Sequence, residues 1–424
     1  MNRFLGCLLM SAVATTVFAQ SGTNSPFSQF GLGEISQQGA SLNKGMNGVG
    51  YALHEGNMVN TLNPASSAYV DSLTFLFDMG LTASVTNFQE NGARKNARTG
   101  NFDYAVGQFR LWKNVGAAFG VVPMTDVGYQ FSSSSFLQTA NSTMTTTYVG
   151  DGGLNKLFLG VGVKLFRNLA VGARGAYLWG SFDRGVTLTS SQAMNTLYKN
   201  YKADVSNYAL DFGLQYDLPL SRRESLTLGL TYGLGHKLKS DAECYIINYN
   251  STTSKRDTAK MVVDNAFELP HTFGVGLAYR QANKLTVGLD GEMQRWGNVK
   301  FPAESGGQYQ LRNGLLKNSY RFALGAEWLP RYNGRSLFQR IRYRLGVGYA
   351  TPYYKIGSSD GPKQYSATIG FGIPIQNQIN ARSYVNISAQ YVHQGVEGML
   401  KENTFRLNLA ITFNERWFAK WKVE

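Results

Sequence analysis

From Leu73 the chain alternates. Leu73, Phe75, Phe77, Met79, Leu81, Ala83 and Val85 take every second position, with Thr74, Asp78, Gly80, Thr82 and Ser84 between them. A period of two puts successive side chains on opposite faces of an extended strand, here one apolar and one polar. The same rule returns from Leu226 to Leu234, Phe273 to Tyr279, Tyr320 to Trp328 and Ile341 to Tyr349, and in segments centred on Ile369, Ile387 and Leu409. Weaker segments around Phe109, Phe119, Phe158, Val171, Phe212 and Val287 bring the count to about 14 strands, an even number as in single-chain outer-membrane barrels. Several strands begin or end in aromatic residues, such as Tyr177 with Trp179, Trp328 and Tyr349, as membrane-interface girdles do.

Beyond residue 19 no apolar run reaches the length of about 18 residues that a membrane-spanning helix needs. A closed barrel spans without such runs, because its strands alternate and pair all their backbone groups. A soluble β-sandwich also alternates, but it hides its apolar face and needs fewer long strands with aromatic ends. The expected fold class is therefore all-β: a single transmembrane antiparallel β-barrel of about 14 strands. Composition agrees. Only 16% of the 424 residues are charged, against about 25% in soluble domains, and 47 glycines and 24 tyrosines suit strands and tight turns.

The ends divide the chain further. Arg3, the apolar run Phe4 to Val17 and the small-residue pattern Val17-Phe18-Ala19 read as a secretory signal peptide over 1–19. Cys7 falls within it, which leaves Cys244 without an intramolecular disulfide partner. Residues 20–71 are rich in Gly, Ser and Asn and hardly alternate. They are too many for a plain tail and read as an N-terminal hatch inside the barrel lumen. The barrel is expected over 72–413 and a C-terminal tail over 414–424. Connections fall into short turns, such as 218–225, and longer polar pieces, 132–153 and 237–268. With the short set facing the periplasm, the expected location is the outer membrane of a Gram-negative bacterium with both termini periplasmic.

Catalytic chemistry is sparse. His54, His236, His271 and His393 have no metal-ligand spacing, and Gly31–Gly33 and Gly160–Gly162 lack the βαβ context of a nucleotide site. No catalytic residue, metal or cofactor is expected. The net charge of +14 is spread over turns and polar strand faces rather than gathered in a stripe, which disfavours nucleic acid. Rim cations suit anionic outer-membrane lipid and lipopolysaccharide. Alternation turns Arg174, Asp211, Asp290, Glu292, Arg321, Glu327, Arg342, Arg344 and Arg406 inward, as a salt-bridged lumen network.

Three stretches of the hatch, "SPFSQFGLGEI" (Ser25–Ile35), "KGMNGVGYAL" (Lys44–Leu53) and "NTLNPASSAYVDSLTF" (Asn60–Phe75), followed by about 14 strands, resemble the FadL-type outer-membrane proteins. The resemblance covers nearly the whole chain after the signal segment. It implies a hatch plugging a 14-stranded barrel, with Asn63, Pro64, Ala65 and Ser66 as its gating box. The box also makes physical sense, since Pro64 cannot donate a hydrogen bond and pushes Asn63 toward an extended conformation. Within the family, the opening motifs and the ending "FNERWFAKWKVE" look like members found in Bacteroidetes, including one associated with the type nine secretion translocon. That implies a non-enzymatic subunit occluding the periplasmic end of the large translocon barrel. The family's other activity is hatch-gated transport of long-chain fatty acids or other hydrophobic small molecules. The polar 132–153 segment and the charged lumen suit a hydrophobic ligand poorly.

Overall fold

The computed structural model describes residues 22–138, 141–191, 195–375, 383–396 and 398–416. The expected signal peptide and residues 417–424 lie outside them. Fourteen antiparallel strands pair in sequence order and close on themselves: β1 Thr74–Glu90, β2 Ala93–Trp112, β3 Val115–Leu137, β4 Ser142–Lys164, β5 Leu169–Ser190, β6 Asn195–Pro219, β7 Glu224–Gly233, β8 Thr272–Gln281, β9 Leu285–Gln294, β10 Ser319–Trp328, β11 Arg342–Ala350, β12 Lys363–Ile375, β13 Ser383–Gly395 and β14 Lys401–Arg416. Closure is made by β1 on β14, from Thr74 opposite Arg416 to Gln89 opposite Lys401. Apart from the upper part of the β2–β3 seam, the closed ladder pairs every strand edge, which is the condition for crossing a bilayer with strands.

The outer wall is apolar. Phe322, Leu324, Leu345, Val347, Ile369, Phe405 and Leu409 are all exposed, an arrangement that water would penalise and lipid favours. Strands β7 to β11 are nine or ten residues long, the length that spans a bilayer when tilted. In contrast β3 to β6 run 22 to 25 residues and rise well past that band. Here 132–153 departs from the expected loop. β3 and β4 continue through it and pair from Phe131 opposite Tyr148 to Leu137 opposite Ser142. Hydroxyls bond across the pair, Ser132 with Thr147 at 2.9 Å and Ser134 with Thr145 at 3.0 Å, so a loop-like composition is held as sheet. The 237–268 segment is likewise not plain loop: Ala242–Asn250 pairs with both the upper part of β6 and Arg256–Val263.

Boundaries shift slightly. The first strand begins at Thr74 rather than Ser72, and the last extends to Arg416, into the segment expected as tail. Short turns gather at one end of the barrel, at 113–114, 165–168, 220–223 and 282–284, and long connections at the other.

The hatch lies inside. It carries a 3-10 turn Pro26–Gln29, a two-residue strand Glu34–Ile35, a short helix Ser41–Gly45 and a second 3-10 turn Pro64–Tyr69. Residues 39–54 and 57–68 are buried without exception. Its first part also closes a seam. β2 and β3 pair only from Ala105 opposite Val121 down to Trp112 opposite Val115. Above that point Glu34 and Ile35 pair with Asp126 and Thr125 of β3, while Asn24 donates to the Arg98 carbonyl of β2.

Candidate functional site

The lumen is occupied by the hatch, and the contact between hatch and wall is the candidate site. Its Asn-Pro-Ala box is a cap. The Asn63 side chain accepts from the Ala65 amide at 3.0 Å, starting the 3-10 turn with Pro64 at its first position. The same side chain donates to the Tyr51 carbonyl at 2.8 Å and to Leu214 of β6 at 3.1 Å. Ser66 Oγ donates to the Asn60 and Asn63 carbonyls at 2.9 and 2.7 Å. All four box residues are buried, and they set how the chain lies on the wall.

The wall is cut to receive it. Gly116, Gly162, Gly172 and Gly213 are cross-strand neighbours on β3, β4, β5 and β6, all facing the box. A Cβ on Gly116 would sit 1.8 Å from the Ser67 carbonyl oxygen, one on Gly172 2.4 Å from the Pro64 carbonyl carbon, and one on Gly213 2.0 Å from Asn63 Oδ1. The belt continues on the far side. Paired Gly229 and Gly276 lie under Tyr51, and Gly288, Gly325 and Gly346 under Val49 and Met46. Without side chains at this level, hatch backbone comes against wall backbone.

The inward charges expected as a lumen network hold the hatch more than each other. Arg174 pairs with Asp211 at 2.8 Å and donates to the Thr61 carbonyl at 2.6 Å. Arg321 lies 3.7 Å from Glu292 and donates to the Gly48 carbonyl at 3.1 Å. Asp290 accepts the Gly50 and Tyr51 amides at 2.6 and 2.9 Å, Tyr51 OH donates to Glu292, and Arg406 reaches Glu34 at 3.0 Å. The most enclosed group is Glu327, which takes Arg342 and Arg344, each at 2.6 Å. Arg342 also binds hatch Glu55 at 2.9 Å, and Arg344 bonds Asn386 at 2.7 Å. Buried charges of this kind persist only when paired and hydrogen-bonded.

Other anchors were not singled out in the sequence. Lys44 pairs with Asp103 at 2.8 Å, Ser41 donates to Asp78 at 2.6 Å, and Asn47 bonds Ser366, Thr368 and Gln390. His54 stacks on Tyr69 and meets Asp217 at 2.8 Å. Burial holds its imidazole below the usual value, outweighing that carboxylate. Burial likewise pushes the Tyr51 phenol well up. These hatch anchors are a few polar residues among many in a Gly-, Ser- and Asn-rich segment, so the sequence carries no signal for which of them reach the wall.

A cavity of about 520 Å³ lies on the long-connection side, lined by Lys156, Arg174, Asp211, Glu292, Arg321 and aromatic groups including Tyr51 and Tyr353. A second, of about 350 Å³, lies toward the short-turn end beside Glu55, Arg280 and Arg342. Hatch residues line both. His271 bonds Tyr232 and His393 bonds Asn403. Among the described residues no three His, Cys, Asp or Glu side chains are grouped to hold a metal ion.

A closed 14-stranded barrel with an apolar belt and an internal hatch defines an outer-membrane barrel of the FadL type. Its fold is that of a FadL homologue from Pseudomonas aeruginosa (TM-score 0.62, 13% identity, 90% of this chain and 99% of that one). It is also that of the Ralstonia pickettii toluene transporter TbuX (0.60, 15%, 90% and 99%) and of the monoaromatic hydrocarbon channel CymD (0.58, 15%, 92% and 99%). No curated protein matches the chain. The family model that matches spans residues 1–424, and the chain belongs to the BamG family.

Proposed function

We propose that this barrel does not conduct: it is a permanently filled, non-enzymatic accessory subunit that works through its outer surface beside a larger protein-transporting barrel. Its short-turn end and C-terminus face the periplasm in this reading. The observation that carries it is the glycine belt. A gate that swings free of the wall would leave bare backbone glycines facing water-filled space, whereas a fixed core gains close packing from them. Most of the charges that line the lumen are also committed, among them Arg174, Arg321, Asp290, Arg342 and Arg406 to hatch atoms. The partner implied by the resemblance is the type nine secretion translocon, whose periplasmic end the barrel would occlude.

Transport of hydrophobic compounds is the second reading, favoured by the 520 Å³ cavity and by what the solved neighbours carry. Against it stands the lining: an apolar guest there would dehydrate Lys156, Arg174 and Glu292 without replacing their partners. Native-condition purification with mass spectrometry separates the two. Recovery of a large outer-membrane barrel, no bound lipophile and ion-tight liposomes support the subunit reading. A stoichiometric fatty acid or aromatic compound, with uptake by proteoliposomes, overturns it.

A further inference from the structure

The two ends of the barrel carry different charge. The described turns at the short-turn end, 113–114, 165–168, 220–223, 282–284 and 329–341, hold eight lysines and arginines and no Asp or Glu. The described long connections at the other end, 234–271, 295–318 and 351–362, hold ten against seven acids. None of the eight short-turn cations makes an ion pair among the described residues.

Their neighbours fix their depth. Lys113 follows Trp112, which is 70% exposed, and Arg167 follows Phe166 at 71%. Arg222 and Arg223 come two and three residues after exposed Leu220, and Arg340 two after Phe338 at 72%. Large exposed apolar and aromatic side chains at the end of a barrel strand sit at the boundary between acyl chains and headgroups. Cations one to three residues beyond them stand at headgroup level. The five turns join ten consecutive strands, from β2 to β11, so the charge runs along most of the rim.

We propose that this collar binds the anionic phospholipids of the leaflet that meets the short-turn end. A protein partner would meet one side of the rim, whereas lipid meets all of it at the depth the aromatics set. Uniform, unpaired charge in that layer is what anionic headgroups recognise. The proposal is independent of whether the barrel conducts, so its failure and that of the subunit reading are separate.

The test uses the full-length mature protein in vesicles, with competition between spin-labelled phosphatidylglycerol and phosphatidylcholine for its surface. Wild type is expected to prefer the anionic lipid by about tenfold in low salt and to lose that preference as salt rises. The exposed-turn variant K113Q/R167Q/R222Q/R223Q is expected to lose most of it, and the opposite-end control K255Q/R256Q to keep it. Heat-modifiable gel mobility checks that both variants are folded. Equal affinity for the two lipids, an unchanged quadruple variant, or a loss that follows the control instead overturns the proposal. So does recovery of an acidic protein on the collar in place of lipid.

Discussion

If the glycine belt is the seat of the hatch, adding one methyl group there levers the hatch off the wall. The substitution Gly116→Ala places a Cβ 1.8 Å from the Ser67 carbonyl oxygen, where ordinary contact begins at 3.4 Å. The obstacle is backbone on both sides, so no side chain can rotate away. The 3-10 turn Pro64–Tyr69 must move by roughly 1.5 Å or β3 must bend. Overpacking of this kind costs about 1–3 kcal/mol, and each hatch hydrogen bond lost with the movement adds about 0.5–1.5 kcal/mol. Gly100→Ala on β2 is the control, because a Cβ there meets nothing within 4 Å. It is expected to be neutral or slightly stabilising, as glycine costs entropy in a strand. Urea midpoints of barrels folded in detergent, read by gel mobility, compare the two, with liposome swelling as a second readout. G116A should unfold at clearly lower urea and leak small solutes. If it matches G100A within about 0.5 kcal/mol, the hatch does not rest on this belt and the filled-barrel argument falls.

Glu327→Gln leaves the Arg342 and Arg344 guanidiniums facing an amide in a buried site, so it should destabilise the barrel by about 3–5 kcal/mol. A urea midpoint within about 1 kcal/mol of wild type would show that the cluster does not hold the wall. His54 is kept neutral by burial, with its pKa below the ordinary 6.5. The unfolded chain therefore takes up the proton first, and stability present above about pH 6.5 is lost as pH falls below it. His54→Gln should flatten that loss between pH 7.5 and 5.5, and parallel slopes for the two proteins would refute it. The Cys244 thiol is fully buried beneath the extension beyond the membrane band. It should resist maleimide in the folded protein and react in urea, and rapid labelling without denaturant would mean that the Ala242–Asn250 ladder opens.

Alternation was legible because lipid on one side of a wall and a filled lumen on the other force it on every strand. Phe75 to Val85 and Phe405 to Phe413 are the clearest cases, and 14 strands follow. Residues 132–153 were misjudged for an equally physical reason. Ser and Thr in a row signal turn chemistry locally, but Ser132 and Ser134 become strand because Thr147 and Thr145 lie opposite them, 15 and 11 residues further along the chain. Charges obeyed the same division. Alternation places Arg174, Arg321 and Arg406 on one strand face but says nothing of the acceptors they meet, because Thr61, Gly48 and Glu34 reach them only after the hatch has folded against the wall. The belt was hidden longest. Gly172 and Gly213 are each ordinary inward positions of their own strands, and only the register between strands brings them level with Gly116 and Gly162.

That register also bears on mechanism. The belt glycines and the anchoring charges both contact the hatch, with Asp290 directly opposite Gly276 in the ladder, so a displaced hatch loses packing and polar contacts together. A small-molecule gate needs a second state within a few kcal/mol of the first. Here the second state would take Glu55 from Arg342 and the Gly50 and Tyr51 amides from Asp290 and bare the glycine wall at once, and each buried polar group left without its partner costs on the order of 1–3 kcal/mol. A barrel built in this way favours a single filled state, which is the property that the proposed accessory role requires.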